Sequence, residues 1–166
     1  MKKYFIILLL AMLFMACNED KTVDVTVMPE ETTIGAQTFG CLVDGWLYVG
    51  GRYSDVSYTF SPQPSIYFVY NAVAKEMRVE VKVKEKGEGY EYLSFTINNP
   101  VENQKTTFTN AKWLDKTESL TEKDLGSGTG TVEITRFDTT EKIISGRFYS
   151  GGNQPISHGQ FDVKYK

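Results

Sequence analysis

Histidine and cysteine, the side chains that most often bind metals or act as nucleophiles, are scarce in this chain of 166 residues. It contains one histidine and two cysteines. Two cysteines are too few for a zinc site of several Cys ligands or for a disulfide framework. The single His158 lies between two predicted strands, and we expect it in a solvent-exposed loop. No G-x-S-x-G motif supplies a hydrolase nucleophile. We therefore predict a protein that is not an enzyme, with no catalytic residue, metal site or cofactor.

An excess of basic residues is also lacking. The chain has 18 Lys and Arg against 21 Asp and Glu. Without residues 1–16, which carry Lys2 and Lys3, the balance becomes 16 against 21, a net charge of −5. Nucleic acids are bound mainly through cationic contacts to phosphate, so this balance argues against a nucleic-acid partner. It also argues against a polybasic membrane-surface role.

The chain has no apolar run long enough to span a bilayer, which takes roughly 20 residues. Lys2 and Lys3 precede a shorter apolar run from Tyr4 to Ala16, and polar residues follow at once. A basic start and about a dozen apolar residues are typical of a secretory signal peptide. We therefore predict that residues 1–16 form a cleaved export signal.

Cys17 follows this run directly. Ala16 before Cys17 resembles the lipobox of bacterial lipoproteins, although Phe14 stands where that pattern usually has leucine. We expect the Cys17 thiol to be diacylated, and two acyl chains hold a protein stably on a membrane. The acidic pair Glu19-Asp20 resembles the export tag of surface-displayed lipoproteins. The predicted location is therefore the outer membrane, periplasmic or surface-exposed, with the surface favoured.

Residues 17–37 are predicted to be the lipidated cysteine and a flexible tether, because the segment is polar and rich in Thr and Glu. A flexible chain of about 20 residues spans roughly 25 Å. The alternative is that Val23–Val27 forms a first strand. Lipidation of Cys17 leaves Cys41 as the one free thiol, and its apolar surroundings predict that it is buried.

From residue 38 onward the hydrophobic pattern has the period of two that is typical of β-strands. Asp44-Gly45 between two such runs predicts a hairpin. A second hairpin is predicted from Met77–Lys84 and Tyr90–Ile97. The C-terminal third predicts a meander, whose strands are Gly130–Phe137, Glu141–Tyr149 and the run around Phe161, Val163 and Tyr165. Weaker strands are predicted at Val56–Phe60, Ile66–Tyr70 and Thr106–Trp113, and a short helix within Leu114–Leu125.

Residues 38–166 are thus predicted to form one all-β domain of about nine or ten strands. An antiparallel β-sandwich is the default for strands of this spacing. A closed antiparallel β-barrel is the alternative, since closure removes the exposed edges.

Several motifs resemble a family of uncharacterised single-domain lipoproteins from Gram-negative gut bacteria. They are Thr32–Gly45 (TTIGAQTFGCLVDG), Gly130–Asp138 (GTVEITRFD), Ile143–Phe148 (IISGRF) and Gly159–Val163 (GQFDV). The resemblance covers nearly the whole chain after the predicted signal. It implies a cell-envelope location and one β-domain, and it implies no activity or functional residue.

Four charged residues of the predicted meander could serve acid–base chemistry on a glycoside. They are Arg136, Asp138, Arg147 and Asp162. We favour a structural interpretation, in which Asp138 opens a turn and the other three make cross-strand ion pairs. Val132 and Ile134 share a strand face with Arg136 while Phe137 takes the opposite face, and this phase break predicts a strand end or a bulge.

Tyrosine and tryptophan are concentrated in residues 46–70. Such side chains combine an apolar body with a polar tip, which suits stacking on sugars or contact with a protein. The predicted ligand-binding residues are Trp46, Tyr48, Tyr53, Tyr58, Tyr67 and Tyr70. Aromatic residues are also common in strands for structural reasons, so this enrichment alone does not establish a site.

Two functions therefore remain open. The first is a non-enzymatic surface module that binds a glycan or a protein. The second is a structural component of an envelope assembly, joined through β-strand addition at an exposed sheet edge.

Overall fold

The computed structural model describes residues 26–51, 66–84, 90–115, 121–124, 128–152 and 155–166. Within these residues the chain forms ten strands and no helix. The strands are β1 (Thr38–Val43), β2 (Trp46–Gly50), β3 (Ile66–Asn71), β4 (Glu76–Lys84), β5 (Tyr90–Asn98), β6 (Gln104–Asp115), β7 (Thr121–Asp124), β8 (Gly130–Asp138), β9 (Ile143–Ser150) and β10 (Ile156–Lys164). The predicted all-β class is confirmed. The predicted strand at Val56–Phe60 lies outside the described residues.

Eight of these strands close into an antiparallel barrel. The hydrogen-bonded order is β2-β1-β10-β9-β8-β6-β5-β4, and pairing of β2 with β4 completes the ring. The predicted sandwich is therefore wrong, and the closed barrel given as its alternative is confirmed. Alternating inward and outward residues occur in both architectures, so the pattern alone could not distinguish them.

Two shorter strands, β2 and β3, pair one after the other with the same edge of β4. Its end residues Val83 and Lys84 pair with β2, whereas Glu76–Val81 pair with β3. The opposite edge of β3 meets the C-terminus, where Tyr70 N donates to Lys166 O (3.0 Å) and Lys166 N donates to Phe68 O (2.9 Å). We call the end with the β1–β2 turn the upper end and the end with the β3–β4 turn the lower end.

The predicted hairpins are confirmed. Asp44 and Gly45 have φ of 50° and 84°, the left-handed pair that a two-residue hairpin turn requires. In the second hairpin, β4 pairs with β5, and the register runs from Lys84 opposite Tyr90 to Met77 opposite Ile97. In the C-terminal meander, β8 pairs with β9 and β9 pairs with β10. The predicted helix within Leu114–Leu125 is wrong for the described residues. There the chain completes β6 and forms β7, because residues 112–115 pair with 121–124.

β-Bulges shift the register of several strands and change the direction in which their side chains point. The register between β8 and β9 shifts between Ile134 and Arg136, which confirms the phase break predicted there and turns Phe137 toward the core. A second bulge lies in β10, where His158 has φ of 49°. The expected exposure of His158 is confirmed, but its placement in a loop is wrong, since it lies within a strand.

Phenyl rings fill the centre of the barrel. Phe148 lies within 5.3 to 6.3 Å, centroid to centroid, of four other phenylalanine rings, those of Phe39, Phe95, Phe108 and Phe161. An eight-stranded barrel is just wide enough for side chains to fill it, and these large rings occupy that space. Cys41 is fully buried beside them, as expected, and burial raises the pKa of its thiol to about 12.

Tyr165 closes the lower end. Its ring is 4% exposed and contacts Tyr70 and Phe137 at centroid distances of 5.9 and 5.7 Å. Burial, followed by the neighbouring Tyr70 and Asp138, raises the pKa of its hydroxyl. The C-terminal residues are thus part of the fold.

We predict that Tyr165→Ala lowers the free energy of unfolding by about 3–5 kcal/mol, the range for truncating a buried aromatic ring. Urea denaturation at pH 7 measures the change. Val73→Ala is the matched control, because Val73 is 97% exposed and its truncation should change stability by less than about 0.5 kcal/mol. A loss below about 1 kcal/mol for Tyr165→Ala would contradict its role in closing the barrel.

Candidate functional site

Trp46 is the exposed aromatic side chain at the upper rim of the barrel. It is the first residue of β2 and is 63% exposed. Trp46 and Tyr48 lie on one face of β2, since side chains two residues apart point the same way. Their partners in β1, Val43 and Cys41, are buried in the core, so this face of β2 is the inward one.

Tyr48 supports this rim from below. It is half-buried and packs edge-on against Trp113, with ring centroids 4.7 Å apart and an interplanar angle of 79°. Trp113 is 3% exposed and therefore cannot itself be reached by a large ligand. The sequence placed Trp113 in a strand, but nothing in its pattern indicated that β6 would bring it beside β2.

The other predicted tyrosines do not join Trp46. Tyr70 lies in the lower-end cluster, where its ring meets Phe137 at 5.1 Å. Met77, the partner of Tyr70, and Lys84, the partner of Val49, are seven positions apart along β4. That spacing corresponds to about 23 Å along a strand.

Tyr67 pairs with Glu80 of β4, and the Lys166 ammonium lies 4.9 Å from its ring centroid. This cation–π contact occupies one face of the ring. Tyr53 and Tyr58 lie outside the described residues, as does the predicted lipidation site Cys17. Among the described members of the predicted set, only Trp46 and Tyr48 are therefore close together.

The charged residues of the C-terminal meander do not form one acid–base centre. Arg136 donates to Asp138 and Glu141 at 3.0 and 2.9 Å, while the Asp138 carboxylate accepts from the backbone N–H groups of Thr140 and Glu141. These backbone bonds, followed by Arg136, lower the pKa of Asp138. The prediction that Asp138 opens a turn is confirmed.

Neither arginine makes its salt bridge with a cross-strand neighbour, although Glu133, which faces Arg147 across the β8–β9 pair, adds to the effect of Glu31 in raising the pKa of Arg147. Arg136 pairs along its own strand and with the following turn, whereas Arg147 pairs with Glu31, a residue that precedes β1. Sequence reasoning missed Glu31 because it was assigned to the tether.

Asp162 accepts five hydrogen bonds instead of the cross-strand ion pair that the sequence predicted. Its carboxylate is 1% exposed. The donors are Thr32 Oγ1 (2.5 Å), Ile34 N (3.0 Å), Gly35 N (2.8 Å), Ala36 N (3.0 Å) and Ser145 Oγ (2.6 Å). Four of the five belong to the segment before β1. We call this arrangement the Asp162 clasp.

Residues 28–36 form a strap against the outer wall of the barrel. Besides the clasp, Gln160 donates to Pro29 O, Arg136 donates to Thr33 O (2.6 Å), and Arg147 pairs with Glu31. Gly40 makes room for the strap, because a Cβ atom there would lie 2.6 Å from Pro29 Cδ. The strap belongs to the stretch that the sequence analysis assigned to a flexible tether.

Two opposing effects set the ionisation of Asp162. Burial of the carboxylate raises its pKa, but the hydrogen bonds from Ser145, Thr32, Ala36 and Gly35 outweigh burial and hold the pKa below its usual value. The charged form is thus the one that the folded protein stabilises.

No family model, curated protein or solved structure matched this chain when it was compared with each. Within the described ranges, there is no group of three or more His, Cys, Asp or Glu side chains that could hold a metal ion. The same ranges contain no helix of the length and hydrophobicity needed to cross a membrane.

We predict that Asp162→Asn lowers stability at pH 7 by at least about 2 kcal/mol, since buried donors lose a charged acceptor. The lowered pKa fixes the sign of the pH dependence. The contribution of Asp162 is complete above its unfolded-state pKa and disappears as pH falls through its lower folded-state pKa.

Urea denaturation of both proteins from pH 7 down into the acid range measures this effect. The difference between wild type and variant should shrink as pH falls, and the comparison cancels other carboxylates such as Asp138. A difference that stays constant or grows in acid would contradict a stabilised Asp162 carboxylate.

Proposed function

We propose that this protein is a lipid-anchored, non-enzymatic binding module of the cell envelope, displayed on the outer membrane surface. Cys17 is the proposed anchor, and the resemblance of the motifs described above to those of envelope lipoproteins supports this location. Trp46 is the principal recognition residue for a glycan or protein ligand, with Tyr48 beneath it.

The exposure of Trp46 is the observation that carries this proposal. A tryptophan that is 63% exposed forgoes much of the free energy its burial would provide, which is unusual for so large an apolar side chain. Tryptophan is also one of the side chains, with tyrosine and arginine, that are enriched at the energetic hot spots of binding interfaces. The edge-on contact of Tyr48 with the buried Trp113 fixes a packed aromatic pair beneath the rim.

The filled interior supports a site at the rim. Barrels of this size that hold a small ligand keep their centre open for it. Here Phe148 and its neighbours occupy the centre. A ligand would therefore lie across the upper rim rather than inside the barrel, where the indole of Trp46 can stack on a sugar ring or enter a pocket of a partner.

The test is a glycan array combined with a pull-down of envelope proteins, using residues 17–166 with Cys17→Ser so that the protein is free of lipid. Trp46→Ala should lower affinity for the bound ligand by about tenfold or more, the effect of removing a hot-spot residue. Tyr48 is left intact, because its truncation would disturb Trp113.

Tyr149→Ala is the matched control, since Tyr149 is a 50% exposed aromatic on β9. It should bind as wild type does. Binding that survives Trp46→Ala, or that both variants lose equally, would refute the assignment of the site to Trp46.

A second candidate is a structural role in an envelope assembly through β-strand addition. β7 lies off the closed ring and, in the described part of the sheet, pairs with β6 alone. An unpaired strand edge is a template for a strand of another chain.

Proline substitution tests this second candidate. Successive backbone N–H groups of a strand point to opposite sides, so one of Glu122 and Lys123 directs its N–H away from β6. We predict that Glu122→Pro and Lys123→Pro differ: one abolishes co-purification of envelope partners and leaves the fold intact, while the other weakens the β6–β7 pair. Equal partner recovery by the folded variant would exclude addition at β7.

A further inference from the structure

The strap changes where the chain leaves the barrel on its way to the proposed anchor. β1 begins at Thr38, but the preceding residues are bonded to the wall from Ala36 back to Pro29. The contacts of this segment with the wall therefore extend at least as far back as Met28 and Pro29, over Gly40. Met28 lies 11 positions after Cys17, whereas Thr38 lies 21 positions after it.

We propose that the Asp162 clasp sets the reach of the membrane tether, holding the barrel close to the lipid surface. This inference rests on the proposed lipid anchor at Cys17. A chain of 11 residues spans at most about 40 Å whatever its conformation, and one of 21 residues at most about 75 Å. The closed clasp therefore nearly halves the greatest distance between the anchor and the barrel.

The contacts that hold the strap are separate from those that hold the barrel. The strap is bonded to outward-facing groups on β8, β9 and β10, whereas the packed rings lie inside. β1 is paired on both sides along its own length, with β2 and with β10. Release of the strap would therefore leave the ring of strands complete.

Asp162 is the point on which the strap depends most. The other wall contacts involve Arg136, Arg147 and Gln160, which are partly or largely exposed. Water can replace such contacts at little cost. The Asp162 carboxylate is buried and binds three successive backbone N–H groups and the Thr32 hydroxyl, so it fixes the conformation of residues 32–36 as a unit.

Two variants open the strap by different routes. Asp162→Asn removes the charged acceptor, and Gly40→Val places side-chain atoms where Pro29 and Met28 now lie. Valine suits a strand, so the second variant keeps β1. Asp44→Asn is the matched control, because Asp44 is exposed at a turn with φ of 50°, which asparagine tolerates.

The experiment uses the full-length lipidated chain in phosphatidylcholine vesicles that carry a headgroup energy acceptor. A donor dye is attached to Pro155→Cys at the upper end or Val73→Cys at the lower end, both exposed positions. Cys41 stays unlabelled, because it is fully buried and its thiol has a raised pKa. Hydrogen exchange at the amides of residues 34–36 reports whether the strap is closed.

We expect slow exchange and high transfer efficiency in wild type and in Asp44→Asn. Faster exchange is expected in both opened variants, together with a loss of transfer efficiency averaged over the two labels, since the greatest permitted separation nearly doubles and transfer falls steeply with distance. Faster exchange without a fall in transfer would overturn the proposal, as would unchanged exchange in Asp162→Asn. Vesicle flotation, compared with Cys17→Ser, tests the anchor separately, so a missing anchor is distinguished from a strap that does not control reach.

Discussion

Closure of the sheet is the constraint on which the rest of this structure depends. β4 must be paired along both edges for the barrel to close. β5 pairs with one edge, but no single strand pairs with the whole of the other edge. β2 covers its upper part and β3 its lower part, while the C-terminus completes the seam beside β3. Because closure leaves few free backbone groups, it limits the places at which this barrel can meet another molecule.

The size of the ring has a second consequence. The interior of an eight-stranded barrel is just wide enough to be filled by side chains, and phenylalanine rings occupy that space here. The filled interior therefore leaves the surface as the place for the proposed binding site, and the aromatic side chains there differ by position. Tyr70 and Tyr165 seal the lower end, whereas Trp46 stands exposed at the upper rim.

Local features were predictable from the sequence, whereas the way distant parts meet was not. The Asp44-Gly45 turn, the alternation in Met77–Lys84 and the phase break at Arg136 each depend on a few neighbouring residues, and the structure confirms all three. Sandwich and barrel share the same alternation, and only the pairing of β2 with β4 separates them. The aromatic residues of 46–70 formed one cluster in sequence, yet pairing with different parts of β4 sends Tyr70 to the end opposite Trp46.

The strap shows why a polar composition is a poor guide to flexibility. Three of the four donors that it offers to Asp162 are backbone N–H groups, which any sequence other than proline provides. Within the strap, only two residues are required for their own chemistry. Thr32 supplies the hydroxyl donor, and Gly35 has a φ of 77°, which favours glycine and lets the N–H groups converge on one carboxylate. The deciding side chain, Asp162, lies 126 residues beyond Ala36, so nothing in the segment itself indicated that it is held. A single buried carboxylate can thus turn a stretch with the composition of a tether into part of the folded domain.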